Sequence, residues 1–580
     1  MFVTDNAPVK YIFVKSQKEK ATELKDKIDA FENKFDRHLL IEILAKQGLV
    51  FLPDIHRPTD LWLVSASAAD KKELGDLVSA LGENRLSPRK PCMEGTRTAI
   101  LQKIEDEIKN ANGPNMIWIR GSPGVGKSAL AASIARRLED QKRRVISFRF
   151  DRTQSTTITT NALWRAVACD LARFYPSLRP HLKGTQGHSS SDIDRLFRSL
   201  IEEPLSMLGN GVLRKELPVI VIDALDECGG LRHDESGRED LQSLLRTLKR
   251  WIQVDQLKKF KVVITSRPED RITFPNSIII HEIPSGSNVK SGDSAFKDIH
   301  AFLESRLENM GMKRTSIGKA LDYLVPGAAG IFVWATTVAN FLERDPEGRL
   351  AMLEKGDGKG LKGLYSLYST IIEASFGHDL EAEEIWAVAS VMGAIIFAKE
   401  PLEDDVLIML PGVKDPGSDA DRLGLIRKGL VSVIDPGPVL RFHHRSFEDF
   451  LLSLHFRTEH PEFLAIQDRD HQQHQLTVLC LRTLVSSQLY FNMCNLESSI
   501  VKNADIHATV KSTISPLVSY SCQYWADHLV NAPSDETLME GVKFVIYEKL
   551  LFWLEAMSLL GKTYEASLIM RRVLASKVCL

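Results

Sequence analysis

The segment Gly121-Ser-Pro-Gly-Val-Gly-Lys-Ser128 lies between the apolar run MIWIR and the helix-forming run SALAASIARRLED. It matches the pattern GxxxxGK[ST] at every required position, and a strand before it and a helix after it are the context that this pattern needs. The glycines allow backbone N–H groups and the helix N-terminus to face phosphate oxygens. Rough residue frequencies give about two chance matches per hundred chains of this length, so a coincidental glycine-rich turn is the weaker interpretation.

Each part of this loop has an expected role in binding a nucleotide with Mg²⁺. Lys127 is expected to bridge the β- and γ-phosphates, and the hydroxyl of Ser128 to hold the metal ion. The other residues of the predicted phosphate site are Gly121, Ser122, Pro123, Gly124, Val125, Gly126 and Ala129. The sequence therefore predicts a site for ATP or ADP.

A second group of candidate residues follows the apolar run PVIVID, which ends in Asp223 and continues as Ala-Leu-Asp226-Glu227. An aspartate at the carboxyl end of such a strand is where P-loop proteins place the carboxylate that orients the water shell of Mg²⁺. Asp226 and Glu227 would then lie near an attacking water, and Glu227 is the better candidate for the general base. An acidic, solvated loop is the alternative interpretation.

A third candidate, Arg267, comes directly after the run KVVITS. The carboxyl end of a strand in a parallel sheet faces the ligand, and a guanidinium there can direct two donors at the γ-phosphate. We therefore predict that Arg267 senses that phosphate. A surface salt bridge with Glu269 or Asp270 is the alternative.

The order of strands and helices predicts an α/β P-loop NTPase core with a parallel five-stranded sheet, because short β-rich runs alternate with helical stretches. The predicted strands are residues 116–120, 144–150, 218–223, 261–266 and 277–283. The predicted helices between them are 129–138, 162–174, 193–208 and 240–254.

The 580 residues exceed what a single core usually holds, so several domains are expected. Strand signals fade after residue 295, except in LVSVIDPGPVLRFHHRSFEDFL, where two short strands flank an Asp-Pro-Gly turn as in a winged helix. We predict a mainly helical N-terminal region at 1–90, the P-loop NTPase domain at 91–285, a helical domain at 286–380, a winged-helix domain at 381–455 and a C-terminal helical domain at 456–580.

Composition limits where the chain works and what it binds. The 74 basic and 76 acidic residues nearly balance, so nothing calls for nucleic acid as a partner. Seven scattered cysteines without a CxxC pair suit free thiols in a reducing, cytoplasmic compartment. The longest apolar run, Ile385 to Ala398, is too short for a transmembrane segment and predicts a buried helix, and the N-terminus has no secretory pattern.

These motifs together resemble the NACHT branch of the signal-transduction (STAND) NTPases, especially the fungal, NLR-like proteins of that class. The small Ala224 after Asp223, followed by the acidic pair, looks like the NACHT form of the second nucleotide motif. The segments CMEGTRTAIL, ITSRP at 264–268 and GIFVWATTVANFL are also similar to fungal NACHT sequences. The resemblance covers residues 92–530 and implies that Arg97, in the first of these segments, binds the nucleotide.

The resemblance also implies a role for a histidine. In this family a winged-helix domain folds back and contributes a histidine that contacts the β-phosphate of ADP, and the run FHHRSFEDF places His444 at that position. From the residues alone, His443 and His444 could also be a strand-end pair with one member in the core, but we prefer His444 as the nucleotide sensor. The chain departs from the family at a Gly-x-Pro turn, where Gly330-Ile-Phe332 has phenylalanine in place of proline.

A further departure concerns the C-terminal sensor. NACHT proteins commonly continue into WD-type, ankyrin or TPR repeats, and residues 515–529 are similar to the helical region that precedes such repeats. No internal repeat of that kind is evident, so we expect either that the sensor is missing or that the chain is an incomplete gene product.

The predicted function is an ATP/ADP-dependent switch and slow ATPase in which nucleotide exchange controls self-assembly and signalling. For the fungal members of the family, the resemblance implies non-self recognition or programmed cell death. The alternatives are a steadily hydrolysing, AAA-like remodelling ATPase and a non-hydrolysing scaffold with structural ATP. His471 and His474 have a spacing that suits a shared metal ion, although a solvated helix start explains them more simply.

Overall fold

The structure of the chain is a computed structural model. It describes Leu86 and residues 89–575, apart from gaps at 152–157, 184–191, 208–216, 229–234, 256, 287–288, 290–292, 356–362, 378–379, 411–412, 414–420, 436, 438, 498–505 and 534. The predicted helical region at 1–90 therefore falls almost entirely outside the described residues.

Five parallel strands form the central sheet: β1 Met116–Gly121, β2 Val145–Arg149, β3 Val219–Asp223, β4 Val262–Ser266 and β5 Ile279–Ile283. Their order across the sheet is β2-β3-β4-β1-β5. Each predicted strand is confirmed to within two residues at either end. Strands β1, β3 and β4 are almost completely buried, as expected for β-branched runs in a sheet covered on both faces.

Helices cover both faces of the sheet. One apolar cluster joins the helices Thr98–Lys109 and Lys127–Asp140 to one face, and a second joins Thr160–Phe174 and Glu235–Gln253 to the other. The remaining helical turns of this region are Pro176–Leu178, Arg179–Lys183, Ile193–Phe197, Arg198–Glu202, Glu203–Ser206, Leu225–Glu227 and Leu257–Lys259. The sheet and its covering helices confirm the predicted α/β core.

Beyond residue 293 the described chain is almost wholly helical. Its α-helices are Ser294–Asn309, Arg314–Ala328, Phe332–Leu342, Pro346–Lys355, Leu364–Phe376, Ala382–Phe397, Asp404–Leu407, Arg422–Gly429, Arg445–Leu451, Leu454–Glu459, Arg469–Val485, His507–Thr513, Pro516–Asn531, Glu536–Phe544, Leu550–Leu559 and Thr563–Ala575. Shorter helical segments of other types are Pro461–Ile466 and Val545–Lys549.

A single apolar cluster runs through this part of the chain from Ile299 to Val573. The predicted boundaries at 380 and 455 therefore fall within one continuous core, and they stay predictions. The apolar run from Ile385 does form a buried helix, as expected. Among the helices that the structure describes, none combines the length and apolar character needed to cross a bilayer.

The predicted wing forms a small antiparallel hairpin. Ile434 pairs with Phe442, and Val439 pairs with Glu403, which precedes the short helix Asp404–Leu407. Backbone hydrogen bonds from Asp435 N to Arg441 O and from His443 N to Val433 O, both 2.8 Å, hold the hairpin together. The pairing is limited to single bridges, without regular strands. The hairpin delivers the chain directly to His444 and the helix that follows it.

Candidate functional site

The glycine-rich loop turns tightly between β1 and the helix Lys127–Asp140. Gly124 and Gly126 have φ of +78° and +92°, the left-handed region in which glycine is favoured. The ammonium group of Lys127 donates hydrogen bonds to the carbonyl oxygens of Gly121 at 2.8 Å and Ser122 at 3.0 Å. Lys127 thus lies across the loop, with its charge at the N-terminus of the helix where phosphate is expected.

Lys127 lies among charged groups from several elements. Burial lowers the pKa of Lys127 to about 8, and Arg267 adds to this shift, whereas the carboxylates of Asp223, Asp226 and Glu227 oppose it. These electrostatic interactions show that the loop and the carboxyl ends of β3 and β4 meet at one place. The structure therefore brings together the residues of the three predicted motifs.

Asp223 ends β3 at the edge of the sheet that faces the loop. Its carboxylate accepts a 2.6 Å hydrogen bond from Thr265 Oγ1 and also interacts with the hydroxyl of Ser128. Burial raises the pKa of Asp223, and the two hydroxyl groups oppose that rise. A serine hydroxyl beside a buried carboxylate is an all-oxygen donor set, the kind that Mg²⁺ prefers. The residues present therefore fit the predicted metal ion.

The acidic pair follows a strained connection. Ala224 has φ of +59°, a left-handed conformation that a bulky side chain would make more costly, and its N–H donates to Thr265 Oγ1 at 2.9 Å. The turn Leu225–Glu227 then places Asp226 in a buried position, with its side chain 3% exposed, and leaves Glu227 more accessible. The small residue that carried the family resemblance thus sits where the backbone favours one.

Arg267 joins the nucleotide site to the C-terminal part of the chain. Its backbone N–H donates to Asp226 at 3.0 Å, and its guanidinium lies 3.4 Å from Asp226 and 2.9 Å from Asp449. Burial alone would lower the pKa of Arg267, but Asp449 and Asp226 more than offset it, so the pKa is raised. Of the two partners in the alternative interpretation, Glu269 and Asp270, Glu269 pairs with Arg271.

Arg445 and Asp449 complete this contact, and they were not among the predicted site residues. The Arg445 guanidinium lies 3.7 Å from Asp226 and 3.9 Å from Glu227, and its Nε lies 3.8 Å from Asp449. Asp226, Glu227, Arg267, Arg445 and Asp449 are called the interdomain ion network below. The only sequence signal for it is the charge spacing of Arg445 and Asp449, four residues apart on a short helix.

The two histidines of the FHHR run have different surroundings. His443 lies beside the hairpin, with Nε2 3.4 Å from Asp435. His444 precedes the helix Arg445–Leu451, and its Nδ1 accepts the Ser446 N–H at 3.1 Å. Burial lowers the pKa of His444 to about 3, and Arg267, Arg89 and Lys127 add to the shift. The ring is therefore neutral, and because Nδ1 is an acceptor its proton lies on Nε2, where it can donate to an anion.

Arg97 supports the loop from the side of the helical region. Its guanidinium donates to the Val125 carbonyl oxygen at 2.9 Å and lies 4.8 Å from the centre of the Phe332 ring. Asp298 accepts the backbone N–H of Arg97 at 3.1 Å and lies 4.0 Å from its Nε. In this arrangement Arg97 holds the loop backbone, and its predicted contact with the nucleotide stays a prediction.

The turn that departs from the family pattern packs directly on the glycine-rich loop. The N–H of Val333 donates to the Gly124 carbonyl oxygen at 2.9 Å, and a Cβ on Gly124 would overlap the Val333 side chain. Phe332, in place of the family's proline, lies against Arg97. The phenylalanine thus takes part in the contact between the loop and the helical region.

The histidines at 471 and 474 lie far along the helical part of the chain. Asp468 caps the helix Arg469–Val485 by accepting the His471 N–H at 3.0 Å, while His474 pairs with Asp535. Within the described residues there is no group of three or more His, Cys, Asp or Glu arranged to hold a metal ion. The simpler interpretation, the start of a partly exposed helix, agrees with this geometry.

Residues 95–267 match the family model "Nephrocystin 3, N-terminal", and that range spans the glycine-rich loop, Asp223 and Arg267. This segment is a P-loop NTPase domain of the NACHT/STAND class. The matched range also includes Arg97, Asp226 and Glu227, whereas His444 lies outside it. No curated protein matches the chain.

Several solved structures resemble the chain only loosely. A STAND protein with a tetratricopeptide repeat sensor from Pyrococcus horikoshii is 15% identical, with a TM-score of 0.33, over 83% of this chain and 64% of that one. Cdc6p from Pyrobaculum aerophilum is 11% identical with a TM-score of 0.30, and ORC2 from Aeropyrum pernix is 13% identical with a TM-score of 0.31. These two matches cover 67% of this chain and 98% and 97% of the others. With TM-scores this low, no property of those proteins can be assigned to this chain.

Proposed function

We propose that this chain is an ATP/ADP-dependent molecular switch of the cytoplasm, in which nucleotide exchange in the NACHT domain controls self-assembly and signalling. The observation that carries the proposal is the interdomain ion network. It connects the expected base Glu227 and the expected sensor Arg267 to two residues of the helix Arg445–Leu451, which lies outside the NTPase domain. This connection supports the proposal that a change in the nucleotide site alters the contact between the two parts of the chain.

The network supports a closed arrangement that ADP stabilises. Asp449 lies 2.9 Å from the Arg267 guanidinium, so a carboxylate engages this side chain in the arrangement described. The neutral His444 has an Nε2–H to offer to a β-phosphate oxygen, as the family resemblance implies. ADP bound in this arrangement would thus tie the loop and the C-terminal part together.

A terminal phosphate would weaken the same arrangement, because it competes with Asp449 for Arg267 and adds negative charge beside Asp226 and Glu227. Nucleotide can drive the change only by binding the two arrangements with different free energies. Changing the ratio of open to closed protein from 1:99 to 99:1 needs a difference in binding free energy of about 5.5 kcal/mol. Several charge-assisted contacts, lost or gained together, supply a difference of this size.

Ser128 and Asp223 are the residues that would hold Mg²⁺. The metal ion supplies neutralising charge at the β- and γ-phosphates. Lys127 binds phosphate from the loop side, and Glu227 polarises the attacking water once Arg445 has moved away from it. Because Arg445 lies 3.9 Å from Glu227 in the closed arrangement, hydrolysis is expected to be slow there.

The biological role follows the family resemblance. We propose that the ATP-bound chain forms homo-oligomers and signals in fungal non-self recognition or programmed cell death, after an unidentified ligand or protein has favoured exchange. The chain spans 64% of the tetratricopeptide-repeat STAND protein, so the activity of a complete protein belongs to this proposal as well.

The test is the nucleotide content of freshly purified protein, combined with size measurement by light scattering before and after exchange for ATP. We expect bound ADP, slow hydrolysis and a larger assembly with ATP. Steady turnover at roughly 1 s⁻¹ or faster would indicate a remodelling ATPase instead. Bound ATP that is never hydrolysed would indicate a scaffold, and the lack of any measurable nucleotide affinity would refute the proposal.

A further inference from the structure

A recess lies beside the glycine-rich loop, between the helix Lys127–Asp140 and the edge of the sheet at β2 and β3. Its cavity volume is about 20 Å³, and it is partly open to solvent. Its polar lining includes the two expected metal-binding residues, Ser128 and Asp223, and two arginines, Arg89 and Arg149. Neither arginine belongs to the motifs that define the NACHT nucleotide site. The recess thus places two additional cations on the metal side of the expected phosphates.

Arg149 is fixed in place by the sheet. It is the last residue of β2 and lies directly opposite Asp223 in the parallel register of β2 and β3. Its Nε is buried, and no described residue provides a hydrogen-bond acceptor for it. The closest carboxylate of the described residues, that of Asp151, is 3.6 Å away, beyond hydrogen-bond distance. This guanidinium therefore has donor capacity for a ligand in the recess.

Arg89 reaches the same recess from the segment that precedes the NTPase domain. It is an exposed residue of the segment LSPRKPCMEGTR at 86–97, whose two prolines and glycine are typical of a linker. It interacts electrostatically with Asp223, Arg149 and His444. A connection between two parts of the chain thus contributes a charged group to the nucleotide site.

The balance of charges favours an anion here. Arg89 and Arg149 repel each other, and among the residues that the structure describes Asp223 is the one carboxylate that lines the recess. Guanidinium groups are well suited to phosphate because they stay charged and offer paired donors. A nucleoside triphosphate brings its terminal phosphate toward Ser128 and Asp223, whereas a diphosphate leaves this position unfilled.

We propose that Arg89 and Arg149 bind the terminal phosphate of a nucleoside triphosphate from the metal side and determine the preference of the site for triphosphate over diphosphate. This inference rests on the proposed nucleotide function. Because Arg89 belongs to the segment that follows residues 1–85, the same contact makes the position of that segment depend on the nucleotide bound.

The experiment measures the affinities of the full chain for Mg²⁺ with AMPPNP and for Mg²⁺ with ADP by calorimetry. Arg89→Ala and Arg149→Ala should each weaken AMPPNP binding by about tenfold or more, the usual effect of losing a charge-assisted contact, and change ADP binding by less than about twofold. Lys90→Ala is the matched control, since Lys90 is the adjacent exposed cation and does not line the recess.

The outcomes separate the inference from the function on which it rests. If the unmodified chain binds neither nucleotide, the proposed function fails. The inference is overturned, and the function stands, if the unmodified chain binds both nucleotides but Arg89→Ala leaves the ratio of AMPPNP to ADP affinity unchanged. The same conclusion follows if Lys90→Ala changes this ratio as much as Arg89→Ala does. Arg149→Lys keeps the charge without the paired donors and should show an intermediate ratio. Should Arg149→Ala fail to fold, the exposed Arg89 decides the question.

Discussion

The substitution Asp449→Asn tests the interdomain ion network with almost no change in shape. It removes the charge that lies 2.9 Å from Arg267 and 3.8 Å from Arg445, on side chains that are only 17–26% exposed. Hydrogen bonds to charged groups contribute about 1.5–3 kcal/mol, and partial exposure places this one toward the lower end. If the substitution destabilises the closed arrangement by about 1–2 kcal/mol, the ratio of closed to open protein falls by about 5–30-fold.

Release of ADP requires the closed arrangement to open, so the ADP dissociation rate should rise by the same factor. Stopped-flow displacement of a fluorescent ADP analogue by excess unlabelled nucleotide measures this rate directly. The matched control is Asp404→Asn, which makes the same chemical change in a partly buried pair with Arg427 that does not belong to the interdomain ion network. The control should release ADP at a rate within about twofold of the unmodified chain, because Asp404 and Arg427 are separate from the contacts that hold the closed arrangement and distant sites act independently.

Arg445→Ala extends the test to the other side of the network. It should also accelerate release, and the double substitution with Asp449→Asn should have less than the sum of the two effects, because both residues act on the same contacts. A folded Asp449→Asn protein that releases ADP at the unmodified rate would refute the reasoning. Equal acceleration by Asp404→Asn would refute it as well, since the effect would then be one of general destabilisation.

Two further predictions concern the phosphate site itself. Because the pKa of Lys127 is lowered to about 8, its charge is present below that pH and lost above it. The nucleotide affinity measured by calorimetry should therefore fall about tenfold between pH 7 and pH 9. An affinity that does not change over this range would contradict the assigned role of Lys127. Glu227→Gln should reduce phosphate release by about 10²–10⁴-fold while nucleotide affinity stays nearly constant, and unchanged hydrolysis would remove Glu227 as the base.

The core of the fold follows from local sequence patterns. Each strand of the sheet is a short β-rich run, and Asp223 and Arg267 stand at or just after the carboxyl ends of two such runs, where parallel strands expose ligand-facing residues. The loop at Lys127 is recognisable because its glycines and its lysine have fixed spacing. These features depend on neighbours in sequence, so one sequence is sufficient to predict them.

The contacts between distant parts of the chain could not be predicted in this way. Arg445 and Asp449 look like an ordinary pair on a helix surface, and only the folded chain shows that the pair faces Asp226. Arg149 is one polar residue in an alternating strand, and Arg89 lies in a segment that its prolines and glycine mark as a linker. The roles of these four residues depend on how separate elements pack together. Such packing produces no periodic pattern in the sequence.

The backbone hydrogen bond from Val333 to Gly124 limits where the molecule can bend. A second backbone bond joins Gly286 to the Ala329 carbonyl oxygen, and Arg97 ties Asp298 to the same region. The first three helices after the sheet are thus attached to the phosphate loop and should travel with it as one rigid body. A hinge that frees the C-terminal part must therefore lie beyond Leu342, and spin-label distances between the sheet and the helix Phe332–Leu342 should stay constant when ADP is replaced by ATP.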